Sequence, residues 1–165
     1  MKKYFGYILV LLLLTSCTNY IYVVRHAEKS TEPPNDPLLT PAGKQRAVML
    51  ADLLKTKNIT LILSTNTART KGTAAVLSDI NNVPTTLYSP DTVSKFAARL
   101  KSYRGNALVV GHSNTILPLL DSLGLQHQLQ EIADNDFDNL FIIKTRRFLG
   151  TKRHLTETVY GTPSP

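Results

Sequence analysis

Apolar positions along the chain follow two alternating patterns, short continuous runs and longer segments with helical spacing. The run at residues 20–24 is short and uninterrupted, which is typical of a buried strand. Ala47, Leu50 and Leu54 instead recur at intervals of three and four residues, behind a helix start at Thr40-Pro41. Five more strands are predicted at residues 60–63, 83–87, 107–110, 140–144 and 148–155, and three more helices at residues 68–77, 92–100 and 116–123.

This order of elements predicts the fold class. Strands that alternate with helices through short connections favour an α/β fold with three layers, α/β/α, in which helices cover both faces of a mostly parallel sheet. The chain has 165 residues, of which 42% are hydrophobic and 17 are Gly or Pro. This composition suits one domain with a sizeable core and excludes a disordered or collagen-like chain. We place the single domain at residues 17–165 and expect its last few residues to be disordered.

The first residues predict a lipoprotein signal peptide at residues 1–16. Lys2 and Lys3 precede an apolar stretch of 11 residues, which is too short to span a bilayer but suits a signal sequence. Leu14-Thr15-Ser16-Cys17 resembles the lipobox of bacterial lipoproteins, in which the cysteine is lipidated. The alternative is a cleaved secretory signal with an incidental cysteine. We expect a protein anchored to a membrane of the bacterial cell envelope through Cys17, on its periplasmic or outer face.

The charge balance narrows the classes of partner. The net charge is +7, and without residues 1–16 it is +5, from 17 basic and 12 acidic residues. Such a charge suits phosphorylated substrates or acidic surfaces. No basic run exceeds two residues, and the sequence shows no extended series of stacking aromatic residues among the basic ones, so nucleic-acid binding is not expected. Cys17 is the only cysteine, which excludes an internal disulfide and a cysteine-rich metal site.

Basic side chains follow three of the predicted strands. Arg25 and His26 follow the first strand, Arg69 follows the second, and His112 follows the strand at residues 107–110. Because parallel strands end at the same edge of a sheet, these side chains should lie together. Two guanidiniums and two imidazoles repel one another unless an anion lies among them. Arginine matches phosphate oxygens with two donors, and a helix N-terminus adds N–H groups, so the pattern predicts a phosphate site.

These motifs resemble the histidine phosphatase (phosphoglycerate mutase-like) superfamily, in its short phosphatase branch. The resemblance spans residues 20–145 and is carried by Arg25-His26, by Ser64 with Arg69-Thr70, by Gly111-His112-Ser113, and by Leu39-Thr40-Pro41-Ala42-Gly43 followed by Gln45. It implies that His26 is the nucleophile that becomes phosphohistidine. It also implies that Arg25, Arg69 and His112 are catalytic residues that bind the phosphoryl oxygens.

The chemistry of these residues agrees with the implied roles. A histidine nucleophile must be neutral, and neighbouring arginines disfavour its protonation. The same arginines stabilise negative charge on the transferring group, so no metal or other cofactor is required. The alternative is a zinc site made by two histidines and a carboxylate, which two adjoining arginines would oppose.

Several acidic residues are candidates for the proton donor to the leaving group. The superfamily's mutases and many of its phosphatases use a carboxylic acid about two dozen residues past the second arginine. Asp91 lies 22 residues past Arg69 and is our candidate, although a carboxylate there would also suit the first turn of a helix. Glu28 and Asp36 are further candidates. The superfamily's short phosphohistidine phosphatases lack an evident acid.

Other polar residues receive structural interpretations. His127 and His154 are predicted to be surface residues, and Asn114 to cap the following helix. Asp134, Asp136 and Asp138 alternate as in a calcium loop, but the required glycine and glutamate are missing, so we predict a solvated loop.

The functional prediction is a metal-independent phosphatase that hydrolyses phosphomonoesters through phosphohistidine on His26. The domain leaves no room for the insertions that cover the site in mutases, so water should reach the intermediate and mutase activity is not expected. The expected partners are a phosphorylated small molecule or a phosphoprotein. The alternatives are a phosphohistidine or phosphoramidate protein phosphatase and, from another class, a catalytically silent phosphate-binding lipoprotein.

Overall fold

The computed structural model describes residues 17–164, so the predicted signal peptide at residues 1–16 lies outside the described residues. The strands are β1 (Cys17–Arg25), β2 (Ile59–Ser64), β3 (Thr85–Leu87), β4 (Asn106–Gly111), β5 (Asn139–Arg147) and β6 (Thr151–Val159). The helices are α1 (Pro41–Leu54), α2 (Ala68–Asn81), α3 (Val93–Ser102) and α4 (Ser113–Ser122). Each predicted element is present with shifted boundaries. None of the helices described is long and apolar enough to cross a membrane.

All six strands belong to one sheet, in the order β3-β2-β4-β1-β5-β6. Four of them, β3, β2, β4 and β1, pair in parallel, which confirms the mostly parallel sheet. The last two strands form an antiparallel hairpin beside β1. The connection between β5 and β6 is too short for the crossover that parallel pairing requires. The carboxyl ends of β1, β2 and β4 therefore lie side by side.

Helices cover both faces of the sheet, as the three-layer fold predicts. On one face, Phe96 of α3 and Ile116 of α4 pack with Ile21 and Val23 of β1 in one buried cluster. On the other face, the buried residues of α1 and α2 pack with the alternate β1 residues, including Val24. Two cores thus hold β1 from opposite sides, because successive side chains of a strand point to opposite faces.

The start of α1 is bound to the segment that follows β1. Thr40 caps the helix by accepting a hydrogen bond from the Gly43 amide at 3.0 Å. The Thr40 amide donates to the Glu28 carbonyl at 2.9 Å. A Cβ at Gly43 would lie 2.2 Å from the same carbonyl oxygen, so only glycine permits this approach. The motif at residues 39–43 therefore joins α1 to the chain two residues after His26.

A buried ion pair adds a second connection. Arg46 of α1 donates from Nε and Nη2 to Glu28 Oε1 at 2.9 and 2.7 Å. The same guanidinium donates to the carbonyls of Tyr160 and Thr162 at 3.1 and 2.8 Å. The carbonyls of Tyr160 and Thr162 therefore hold this segment against α1. The expected disorder of the last few residues stays a prediction.

Replacing Arg46 with methionine should destabilise the fold strongly, because it leaves the Glu28 carboxylate and two carbonyls without their buried partner. We expect Arg46→Met to lower the free energy of unfolding by about 3 kcal/mol in urea titrations, the lower end of the range for breaking a buried pair. Lys55→Met removes the exposed Lys55–Asp52 pair and should cost less than about 1 kcal/mol. Equal losses in the two variants would contradict the anchoring role of Arg46.

Candidate active site

The four predicted residues meet in one cavity at the carboxyl ends of β1, β2 and β4. Arg25, His26, Arg69 and His112 line a volume of about 640 Å³, and the wall also includes Asp91. Their convergence follows from the strand order, since β1 and β2 both flank β4. A second cavity of about 630 Å³ beside α1 contains none of the four residues.

The backbone of His26 is fixed by its neighbours. Its amide donates to the Gly111 carbonyl at 2.9 Å, which continues the β1–β4 ladder by one residue. The next amide, of Ala27, donates to Thr73 Oγ1 of α2 at 2.9 Å. The His26 residue is only 3% exposed. Its position is thus set by β4 on one side and α2 on the other.

A hydrogen bond defines the tautomer of the His26 ring. Nδ1 lies 2.8 Å from the Ala27 carbonyl oxygen. A carbonyl only accepts, so Nδ1 carries the proton and Nε2 carries the lone pair. The pKa of His26 is lowered from 6.5 to about 3, mainly by burial and also by the charges of Arg25, His112 and Arg69, against the opposing effect of the hydrogen bond to the Ala27 carbonyl. The ring is neutral at physiological pH, with Nε2 available as a nucleophile.

His112 is held in the opposite tautomer. Its Nε2 lies 2.8 Å from Thr65 Oγ1, and Thr65 in turn donates to Thr70 Oγ1 at 3.0 Å. Thr65 Oγ1 therefore accepts a hydrogen bond from Nε2–H. This leaves Nδ1 to accept a hydrogen bond from Arg69 Nη2 at 3.4 Å. Burial, with the charges of Arg69 and Arg25, lowers the pKa of His112 to about 4. The ring meets that of His26 edge to face, with centroids 5.4 Å apart.

The loop at residues 133–137 encloses Arg25, whose guanidinium is almost fully buried. Nη1 donates to the carbonyls of Ala133 and Asp136, and the guanidinium lies 4.6 Å from the centre of the Phe137 ring. The Asp134 carboxylate is 3.6 Å from Nη2 and fully exposed. The sequence predicted a solvated loop here. Its side chain at Asp134 is solvated, but its backbone forms part of the site.

Arg69 lies in the first turn of α2, where Asp36 holds it. The Asp36 carboxylate accepts from the Ala68 amide at 2.9 and 3.0 Å and lies 3.8 Å from Arg69 Nη1. The Nε atoms of both Arg69 and Arg25 are buried without a hydrogen-bond partner among the described residues. Buried donors are normally satisfied, so two orphaned N–H groups beside one cavity indicate an anionic ligand with several acceptor oxygens.

Asp91 lies in the wall of the same cavity, as its predicted role requires, although its role itself stays a prediction. It is exposed in a 3₁₀ turn, Pro90–Thr92, just before α3. Ser89 Oγ caps this turn by accepting from the Asp91 amide at 3.3 Å and donates to its carboxylate at 3.2 Å. The two other acid candidates have structural partners, since Arg46 binds Glu28 and the α2 N-terminus binds Asp36.

Two smaller interpretations need correction. The cap of α4 is His112, whose amide donates to Thr115 Oγ1 at 2.9 Å, and Asn114 is an exposed residue at the cavity. His127 is mostly buried rather than on the surface, with Nε2 3.2 Å from Asp121, while His154 is exposed on β6 as predicted.

Metal-ligating side chains do not cluster in the part of the chain that the structure describes. No group of three or more His, Cys, Asp or Glu side chains there could hold a metal ion. The carboxylates nearest to the two site arginines are held at 3.6 and 3.8 Å from a guanidinium nitrogen.

A family model described as the histidine phosphatase superfamily (branch 1) matches residues 21–89, which include Arg25, His26 and Arg69. Over these residues the chain is similar to the histidine phosphatase superfamily. His112 lies beyond the matched residues, and the fold places it beside the other three. A search of curated protein sequences gave no match.

Solved structures share the fold of this chain at low sequence identity. A protein from Agrobacterium tumefaciens assigned as the phosphohistidine phosphatase SixA is 19% identical, with 81% of this chain and 97% of that chain covered and a TM-score of 0.60. A mycobacterial glucosyl-3-phosphoglycerate phosphatase in complex with inorganic phosphate is 15% identical, with 83% and 95% covered and a TM-score of 0.63.

The low pKa of His26 predicts how stability depends on pH. Below pH 6.5 the unfolded chain binds a proton on this imidazole while the folded protein does not until about pH 3, so stability is lost as the pH falls between these values. From pH 7 to pH 5 the loss from this one group is about 2 kcal/mol. When urea unfolding is measured at both pH values, the free energy of unfolding of His26→Asn should fall less than that of the parent protein, because the variant has no imidazole at this position. An equal fall in the two proteins would show that His26 is not buried in its neutral form.

Proposed function

We propose that this protein is a histidine phosphatase that hydrolyses phosphomonoesters without a metal ion, through a phosphohistidine intermediate on His26. The observation that carries the proposal is the neutral His26 ring, with its lone pair on Nε2, beside the guanidiniums of Arg25 and Arg69, each of which has a buried Nε donor without a protein partner. An anion site alone would need the guanidiniums but not a neutral nucleophile between them. This argues against a silent phosphate-binding lipoprotein.

The proposed reaction has two steps. In the first, His26 Nε2 attacks phosphorus, the bond from phosphorus to the ester oxygen breaks, and Asp91 gives a proton to the leaving oxygen. In the second, water attacks the phosphohistidine, the P–N bond breaks, and Asp91 takes a proton from the water. Arg25, Arg69 and His112 stabilise the charge on the phosphoryl oxygens in both steps, which is the contribution that a metal makes in many other phosphoryl transfers.

The open wall of the cavity favours hydrolysis over transfer to a second substrate. Asp91, Asn114 and Asp134 line the cavity and are all exposed, so water has access to the phosphoenzyme. An open site also admits a phosphate carried on a protein side chain. Hydrolysis of phosphohistidine is therefore the second candidate, in keeping with the likeness to the protein assigned as SixA.

The direct test is turnover of a panel of phosphate esters and phosphoramidates, with and without a chelator. We expect activity that survives chelation, since the arginines stabilise the transferring group. His26→Ala should abolish it, while His127→Ala, which removes a histidine outside the cavity, should leave it unchanged. Loss of activity in the chelator, restored by added metal, would overturn the proposal.

Asp91 is tested through the leaving group. Alkyl alcohols need a proton to leave, whereas p-nitrophenol does not, so Asp91→Asn should slow alkyl phosphate hydrolysis by roughly 10²–10⁴-fold and barely affect p-nitrophenyl phosphate. Asp134→Asn is the matched control, because it removes the other exposed carboxylate of the cavity. A small uniform loss on every substrate, with lower thermal stability, would show that Asp91 only supports the turn before α3.

We also propose that Cys17 carries a lipid anchor in the bacterial cell envelope. Cys17 is exposed at the first position of β1, whereas Arg25 and His26 lie at the other end of that strand, roughly 26 Å away at 3.3 Å per residue. The catalytic cavity would then face away from the membrane. Cys17→Ser should move the protein from the membrane to the soluble fraction of an expressing bacterium. Retention in the membrane fraction would instead indicate another mode of attachment.

A further inference from the structure

The turn between β5 and β6, which we call the hairpin tip (residues 146–153), combines exposed apolar and basic side chains. Its sequence, Arg-Arg-Phe-Leu-Gly-Thr-Lys-Arg, holds four basic residues and no acidic one. Leu149 is 94% exposed and Phe148 is 41% exposed. The tip lies at the Cys17 end of the sheet, because Arg147 pairs with Cys17 while Leu140 pairs with Val24. It is therefore opposite to the catalytic cavity.

The fold alone does not account for leucine at the tip. Leu149 adopts a positive φ of 48°, and Gly150 follows with φ 131°. The Phe148 amide donates to the Gly150 carbonyl at 3.0 Å, which closes a tight turn and leaves the Leu149 side chain in water. Glycine, asparagine or aspartate would suit such a turn better. A leucine here costs conformational strain without giving any buried contact in return.

Basic side chains surround the apolar tip on both faces of the hairpin. Lys152 lies opposite Arg146 on one face, and Arg153 lies opposite Thr145 on the other, since opposed residues share a face. Arg147 and Arg153 both donate to the Lys101 carbonyl at the end of α3, at 3.0 and 3.1 Å. Within residues 17–164, no carboxylate forms an ion pair with Arg147, Lys152 or Arg153.

Further cations lie next to the tip. Burial and then the charges of Arg104 and Arg153 lower the pKa of Arg147, so these three guanidiniums are close enough to repel one another. A cavity of about 140 Å³ also opens at the tip, lined by Arg146, Phe148 and Lys152. The tip thus presents concentrated positive charge around a protruding leucine, with space between two cations and an aromatic ring.

We propose that the hairpin tip docks on an anionic lipid bilayer. Leu149 and Phe148 enter the interface, and the surrounding lysine and arginine side chains contact headgroup phosphates. Apolar side chains combined with a basic flank are the features by which surface segments bind anionic membranes. A nucleic acid would match the charge but offers no apolar phase for Leu149. Docking at this end would hold the cavity away from the membrane, whether or not Cys17 is lipidated.

Vesicle co-sedimentation tests the proposal with residues 17–165 carrying Cys17→Ser. This part contains both hydrophobic cores and all six strands, so it folds without the leader, and it has no site for a lipid anchor. We expect binding to vesicles of equal parts phosphatidylglycerol and phosphatidylcholine, weakened by salt, and none to pure phosphatidylcholine. Leu149→Ser and Lys152→Glu should each weaken binding roughly tenfold or more.

Matched controls separate the tip from general surface effects. Ile80→Ser removes another exposed apolar side chain, and Lys44→Glu reverses another exposed charge, so both should bind like the parent. All four variants should hydrolyse p-nitrophenyl phosphate normally, which keeps this test independent of the proposed function. No binding to the anionic vesicles, or equal binding by Leu149→Ser and the parent, would overturn the proposal. Tighter binding to duplex DNA that survives Leu149→Ser would also overturn it, in favour of a nucleic-acid surface.

Discussion

The site depends on confining positive charge at the carboxyl ends of three parallel strands. Arg25 is buried there beside two imidazoles, and Arg69 lies next to them. A carboxylate hydrogen-bonded directly to both guanidiniums would neutralise their charge and compete with a phosphate. The structure instead satisfies Arg25 mainly with the carbonyls of the loop at residues 133–137, which stabilise a cation without cancelling its charge. The two Nε donors without protein partners are available to bind the oxygens of a substrate phosphate.

The same buried positive charge explains the protonation states of His26 and His112. Burial together with the neighbouring guanidiniums keeps both rings neutral, and hydrogen bonds then select opposite tautomers. The carbonyl of Ala27 accepts a hydrogen bond from Nδ1–H of His26, while Thr65 Oγ1 accepts one from Nε2–H of His112. Attachment of the chain around His26 to Gly111, Thr73 and α1 keeps that geometry fixed. A nucleophile held in this way needs no reorganisation before attack.

Part of this arrangement could be predicted from sequence because it follows from strand position. Arg25, His26, Arg69 and His112 each stand just after a predicted strand, and parallel strands bring such positions together. The loop that encloses Arg25 could not be predicted, since its carbonyls carry no side-chain signal. The polar residues Asp36 and Asn114 also gave ambiguous patterns, because capping a helix and lining a cavity call for the same side chains. The antiparallel pairing of β5 and β6 could not be predicted either, because it depends on the tight turn at residues 148–150.

The central claim is that His26 attacks through Nε2, and the position of the phosphate on the trapped intermediate tests it most directly. The protein would be mixed with a ³²P-labelled phosphate ester, quenched within milliseconds in alkali, in which phosphohistidine is stable, and digested for peptide mapping. The structure predicts the label on the peptide that contains His26, attached to Nε2, because Nδ1 is bound to the Ala27 carbonyl. Label on Nδ1, label on another residue, or turnover without any phosphoenzyme would contradict the account.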